Sequence, residues 1–434
     1  MVPRVRTRLT RGPSTLGRVA IALAAVAALG LLAAFAGCGS GLRDSTGEEA
    51  QADVEPATPG SCASTVLDAL GHVAVRVYRE GVASERTASA LHMIRGSTAL
   101  RRAVEEGDAR GALAAERALL ATGHMTNLRV MHAGTVLAEA GREGALTPLR
   151  GTLRDASGAP LGGFVASVWA NGGLVAETSG IAEGTAVLRA GESTVAGTFP
   201  LPPGKLPAQG TLTRGGVAYQ YTSFPGTAYP GGDPLRIYLL RSVGSTAPLC
   251  GASDADTTVN TISHVAHLIY EGEAGRRTLE QIHRVQRNRP LLSAVAHRDA
   301  AATRRAVEAL LHQHIVRLRV SAGGRLLSDV GGPWVLAPVH APLRLGGRTI
   351  GSFVLSIQDD EGYKRLAARL VGLDVVMYTG SRLVKSTLGP SPGAIPTSGK
   401  LRLRGRTYRL FTFKAEAFPS GPLRITVLIP IPYS

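Results

Sequence analysis

The 434-residue chain is 44% hydrophobic and 18% charged, with a formal net charge of +16. That length accommodates two or three domains with cores of their own, and that apolar content excludes a disordered polymer. The positive charge is mostly arginine. With no basic helix interleaved with aromatics and no zinc-finger spacing, it argues against nucleic acid and suits anionic envelope polymers or lipid headgroups.

The chain opens with an export signal. Residues 1–18 carry Arg4, Arg6, Arg8, Arg11 and Arg18 and no acid, and Val19 to Ala36 is an apolar run without a charge. Phe35-Ala36-Gly37-Cys38 follows, with small residues at the two positions before a cysteine, and the stretch resembles a bacterial lipobox. Two readings follow. Either residues 1–37 are a cleaved signal peptide and Cys38 carries a lipid, or residues 19–36 stay as a transmembrane anchor. Both place everything after Cys38 on the outer side of the cell membrane. Residues 38–61 contain Asp44, Glu48, Glu49, Asp53, Glu55, Pro56 and Pro59 and few large aliphatics. Such a segment reads as a disordered tether.

The remainder is a repeat. LTRGGVAYQYTSF at 212–224 aligns with LRLRGRTYRLFTF at 401–413, and Gly158, Gly162, Phe164, Val165 and Ser167 align with Gly347, Gly351, Phe353, Val354 and Ser356 at the same separation. Upstream, His72, Val73, Ala74 and Tyr78 align with His264, Val265, Ala266 and Tyr270. A register held over so long a stretch marks two copies of one module, 62–241 and 250–432.

Each module repeats one order of elements. An amphipathic helix comes first, with Val66, Leu70, Val73 and Val77 on one face and Ile262, Val265 and Ile269 on its counterpart. Asp108 and Asp299 are placed to cap later helices. Strand periodicity then sets in with LRVMHAGTVLAEAG and LRVSAGGRLLSDVG, each a strand, a Gly turn and a strand. PLGGFVASV and TIGSFVLSI suit buried strands. A short helix such as GYKRLAARLVG precedes the strand pair VVMYTGSRLVKST, a Pro/Gly loop and two final strands. The expected fold is α+β: each module is a long N-terminal helix plus an antiparallel sheet of about five strands.

That element order, with phrases such as GRTIGSFVLSI followed by LDVVMYTGSRLVKST, resembles the Cache family of PAS-like extracytoplasmic sensor domains in bacteria. The resemblance covers nearly all of 62–432, twice, and looks like a tandem of single Cache domains. It implies binding of a small molecule, often a carboxylate, on one sheet face, without catalysis.

Few residues offer chemistry. Gly-Pro-Ser-Pro-Gly at 389–393 matches G-x-S-x-G formally, but Pro392 removes the N–H an oxyanion hole needs. His312 and His314, two apart, point to different helix faces, and no histidine set has ligand spacing, so no metal or cofactor is expected. Arg129 and Arg319, at matched strand positions, could clamp a carboxylate. With Ser356, Tyr408 and Tyr219 they are the candidate ligand residues, module 2 being the better candidate, and only one of Arg317 and Arg319 is expected to face a pocket. Cys62 and Cys250 each precede a long helix, and in an oxidising compartment they pair or remain free thiols.

The expected function is small-molecule binding by a sensor-type lipoprotein, not an enzyme. It would act through a membrane signalling partner, since the chain contains no kinase, cyclase or methyl-accepting segment. The alternative is a structural or scaffolding envelope lipoprotein whose pockets have degenerated.

Overall fold

The computed structural model describes residues 54–55, 61–142, 144–272, 276–311, 314–332, 335–390, 393, 395–418 and 421–433. The expected signal segment, Cys38, most of the expected tether, His312, Ser391 and Pro392 lie outside the described residues.

The long helices are Cys62–Arg79 and Asp254–Glu271. Ser61 and Ser253 cap them, each accepting an N–H of the first turn at 3.2 Å. Their apolar stripes, Val66, Leu70, Val73 and Val77 against Val259, Ile262, Val265 and Ile269, lie in one buried cluster. Cys62 and Cys250 form a disulfide with Cα atoms 5.6 Å apart. One turn on, the Thr65 hydroxyl donates to Asp254 Oδ1 at 3.0 Å. The helices therefore start together and run along one another.

The α+β class holds and one order of elements recurs in both halves, but two expectations are revised. The strands expected in one sheet per module divide between two. In module 1, Asn127–His132, Thr135–Gly141, Leu149–Arg154 and Pro160–Ser167 form a four-stranded antiparallel sheet. Thr185–Ala190, Ser193–Ala196, Gln209–Arg214, Val217–Thr227 and Pro234–Ser242 form a larger one. Module 2 repeats both. Arg317–Ala322, Arg325–Gly331, Val339–Leu345 and Arg348–Ser356 make the smaller sheet; Asp374–Thr379, Arg382–Ser386, Gly399–Leu403, Arg406–Phe418 and Gly421–Ile431 belong to the larger. The helix Asn171–Ala182 or Asp360–Leu366 leads from one sheet to the other.

A second revision concerns the tether. Val54–Glu55 adds a short strand to the open edge of Gln209–Arg214, Val54 facing Leu212. An edge strand offers unpaired N–H and C=O groups, and a polar segment beside it can use them without burying apolar area.

Each smaller sheet packs one face on the module's own short helices. Leu128, Val130 and Phe164 meet Ile94, Leu100 and Val104 in module 1, and Leu318, Val320 and Phe353 meet Val285, Leu291 and Val307 in module 2. Each larger sheet is covered on both faces. The long helices take the inner face, and loops carrying Leu206 and Leu388 close the outer. Asp108 and Asp299 cap their helices as expected, accepting from the Arg110 and Ala302 amides at 3.0 and 2.9 Å.

Candidate functional site

The expected ligand residues do not surround one cleft. Arg319 donates twice to Asp329 Oδ2, at 3.0 and 2.7 Å. Arg317 holds the same carboxylate at 2.8 and 2.9 Å. Both guanidiniums stand 4.9 Å from the Phe418 ring. Two residues apart on a strand, Arg317 and Arg319 share a face, which corrects the expectation that only one of them points into a pocket. Burial would raise the Asp329 carboxyl, but the two arginines outweigh it and hold it below the usual carboxylate range. Arg129 is likewise occupied, bonding Glu139 Oε2 at 3.0 and 2.7 Å.

The other candidates are structural as well. Ser356 Oγ is buried between the Leu336 and Gln358 carbonyls, and Ser167 repeats this between Leu146 and Trp169. Both tie short strands at the junction of the two sheets. Tyr408 and Tyr219 lie in the outer cores of the larger sheets, Tyr408 beside Leu410 and Leu428, Tyr219 edge-on to Phe199 at 4.9 Å. Tyr408 is thus on a different sheet from Arg319. Among the described residues no group of three His, Cys, Asp or Glu could hold a metal, and no helix is long and apolar enough to cross a membrane.

A cavity of about 650 Å³ opens in module 1, between the helix Ala109–Ala121, the edge strand Thr135–Gly141 and the segment around Trp169. Leu113, Leu120, Met125 and Val168 give it apolar walls, and Arg86, Arg117 and Arg142 bring three cations to it. Arg86 is held in place: it donates to the His124 and Gly123 carbonyls, both at 3.1 Å, and lies 5.7 Å from the Trp169 ring. The Arg117 and Arg142 side chains are exposed and make no ion pair or hydrogen bond among the described residues. The acid at the cavity, Glu139, is already committed to Arg129. Thr135–Gly141 is the outermost strand of its sheet, so the free edge of its backbone adds unpaired donors and acceptors.

Arg117, Arg142 and Trp169 were not singled out from the sequence, although the repeat carried the signal. Their module 2 counterparts are Glu308, Gly332 and Gln358. One copy thus has two cations and an indole where the other has an acid, no side chain and an amide.

Close by, Glu116 is fully buried on the core side of the Ala109–Ala121 helix, and neither carboxylate oxygen makes a full hydrogen bond. Burial raises it to about 8; Glu139 pushes the same way, and the Val130 backbone opposes weakly. The repeat has Val307 there, also fully buried.

No protein-family model matches this chain, and no curated protein matches it. Among solved structures, the periplasmic domain of Vibrio cholerae LuxQ is similar to part of it, with 16% identity, a TM-score of 0.27, and coverage of 38% of this chain and 97% of that one.

Proposed function

We propose that this protein is an extracytoplasmic, sensor-type binding protein, not an enzyme. It is anchored through Cys38, takes a small organic anion in the module 1 cavity and acts through a membrane partner. The observation that carries the reading is the cavity's composition: aliphatic walls, an indole, and Arg117 and Arg142 without partners among the described residues. Ligand sites are commonly apolar hollows with a few placed polar groups, and a guanidinium fork matches a carboxylate in charge and geometry. The test is a thermal-shift screen of the full chain against organic acids and amino acids. A ligand at 100 times its dissociation constant adds about 2.7 kcal/mol. A clear rise with some carboxylates, lost in Arg142→Ala, is the expected result; no shift with any anion would refute the reading.

Module 2 favours the structural alternative for its own half. Its Arg317 and Arg319 are both bonded to Asp329, and Glu308 is paired with Arg304 at 2.9 Å. In this reading module 2 is the scaffold against which module 1 is held.

A further inference from the structure

We infer that module 1 has a second anion site, in the groove between its long helix and its larger sheet, that accepts a small carboxylate with an apolar body. The groove encloses about 490 Å³ and runs past His72, Val75, Arg76 and Arg79 on the helix and Thr222 and Phe224 on the strand.

The repeat shows how it arises. Val75 aligns with His267 and Thr222 with Phe411. In module 2 those larger rings fill the space: His267 stands edge-on to Phe413 at 5.0 Å, and Phe411 lies 6.1 Å from the same ring. In module 1 the ring matching Phe413, Phe224, packs on Tyr78 at 5.9 Å and leaves the rest open. Two aromatic-to-small differences therefore hollow out one copy of a surface that the other copy packs.

Charge changes in the same place. Arg76 and Arg79 align with Leu268 and Glu271. In module 2 Glu271 lies 3.6 Å from His267, so that helix end carries its own pair. In module 1 the Arg79 side chain is exposed with no partner among the described residues. Arg76 lies against Gly372, beside Tyr433, whose hydroxyl donates to the Val371 carbonyl at 2.6 Å. The acid in the groove, Asp68, accepts from Gln209 at 2.6 Å, and burial raises its carboxyl. The open volume is thus bordered by two arginines and one weakened acid, with Val75 and Phe224 as an apolar wall. A carboxylate on Arg76 and Arg79, with its body against Phe224, satisfies both characters. Tyr433 also lies tilted against His72, ring centres 6.0 Å apart, so an occupant touches the seam between the modules.

Benzoate is the probe. Binding to the full chain is measured by equilibrium dialysis in an Arg142→Ala background, which weakens the cavity described above by roughly tenfold or more and keeps the two sites distinguishable. One benzoate bound per chain at millimolar concentration is expected. Arg79→Glu, which installs the charge of the repeat at an exposed position, should weaken it roughly tenfold or more. Thr222→Phe should abolish it while the melting profile stays cooperative. No binding in the Arg142→Ala protein would overturn the inference, and so would binding that Arg79→Glu leaves unchanged.

Discussion

Cys62 and Cys250 are bonded to one another at the starts of the two long helices, 188 residues apart in sequence. The bond lies at one end of a buried seam that continues through Val66, Leu70 and Val73 against Val259, Ile262 and Val265. At the far end Arg369 holds Glu80 at 2.6 Å, and midway His264 meets Glu183 at 2.8 Å. The covalent link therefore joins surfaces that already pack. It acts mainly by restricting the unfolded chain, for which the chain-entropy ceiling at this loop length is about 5 kcal/mol. Cys62→Ser with Cys250→Ser should keep the fold and its circular dichroism while lowering the denaturant midpoint. An unchanged midpoint would mean that the bond contributes nothing.

Glu116 should give the protein a pH-dependent weakness. Its folded value of about 8 lies above the ordinary 4.5, so the folded state keeps a proton that the unfolded chain has lost between those values. Stability then falls as pH rises through that window, and the cost is complete above it. Glu116→Val, the residue found in the repeat, should stabilise by about 2 kcal/mol in alkaline buffer and much less in acid. Urea titrations at both ends of the window would show it. An equal effect at the two ends would place the proton elsewhere.

Arg319 should matter for folding and not for ligand. Arg319→Ala removes two hydrogen bonds to Asp329 but leaves the acid with Arg317, so the expected loss is on the order of 1 kcal/mol. Anion binding should be as tight as in the parent by calorimetry, and a tenfold weaker affinity would return Arg319 to the site.

Anchoring is tested at Cys38. Cys38→Ala should abolish metabolic labelling with palmitate and release the protein from the membrane fraction. Persistent labelling would mean the lipid is attached elsewhere, and loss of labelling with full membrane retention would favour the uncleaved anchor.

Much of the architecture was legible because it is local or repeated. Helix stripes, caps and strand alternation are read within a few residues, and duplication tied the two halves together. Strand pairing across the crossover is not local. Alternation says which face a residue takes, not which strand lies beside it, so the division into two sheets escaped. The fate of Arg129 shows the limit more sharply. A regular hairpin through the turn at Ala133 and Gly134 would set Arg129 opposite Ala138. The register shift between Val130 and Met131 sets it opposite Glu139 instead. The same shift between Val320 and Ser321 moves Arg319 from Ser328 to Asp329. A bulge of one residue thus turned an apparently free guanidinium into a paired one. The cavity was hidden for a related reason, since Arg86, Arg117, Arg142 and Trp169 come from separate segments that only tertiary packing brings together.

Calorimetric titration of the full chain with the best carboxylate from the thermal screen, compared with Arg117→Ala and Arg142→Ala, tests anion binding in the module 1 cavity. Binding at one module 1 cavity predicts that each variant weakens that carboxylate by roughly tenfold or more, as expected for removing a charge-assisted contact. Module 2 variants such as Arg319→Ala should leave it unchanged. Undiminished affinity in both Arg117→Ala and Arg142→Ala would contradict the account.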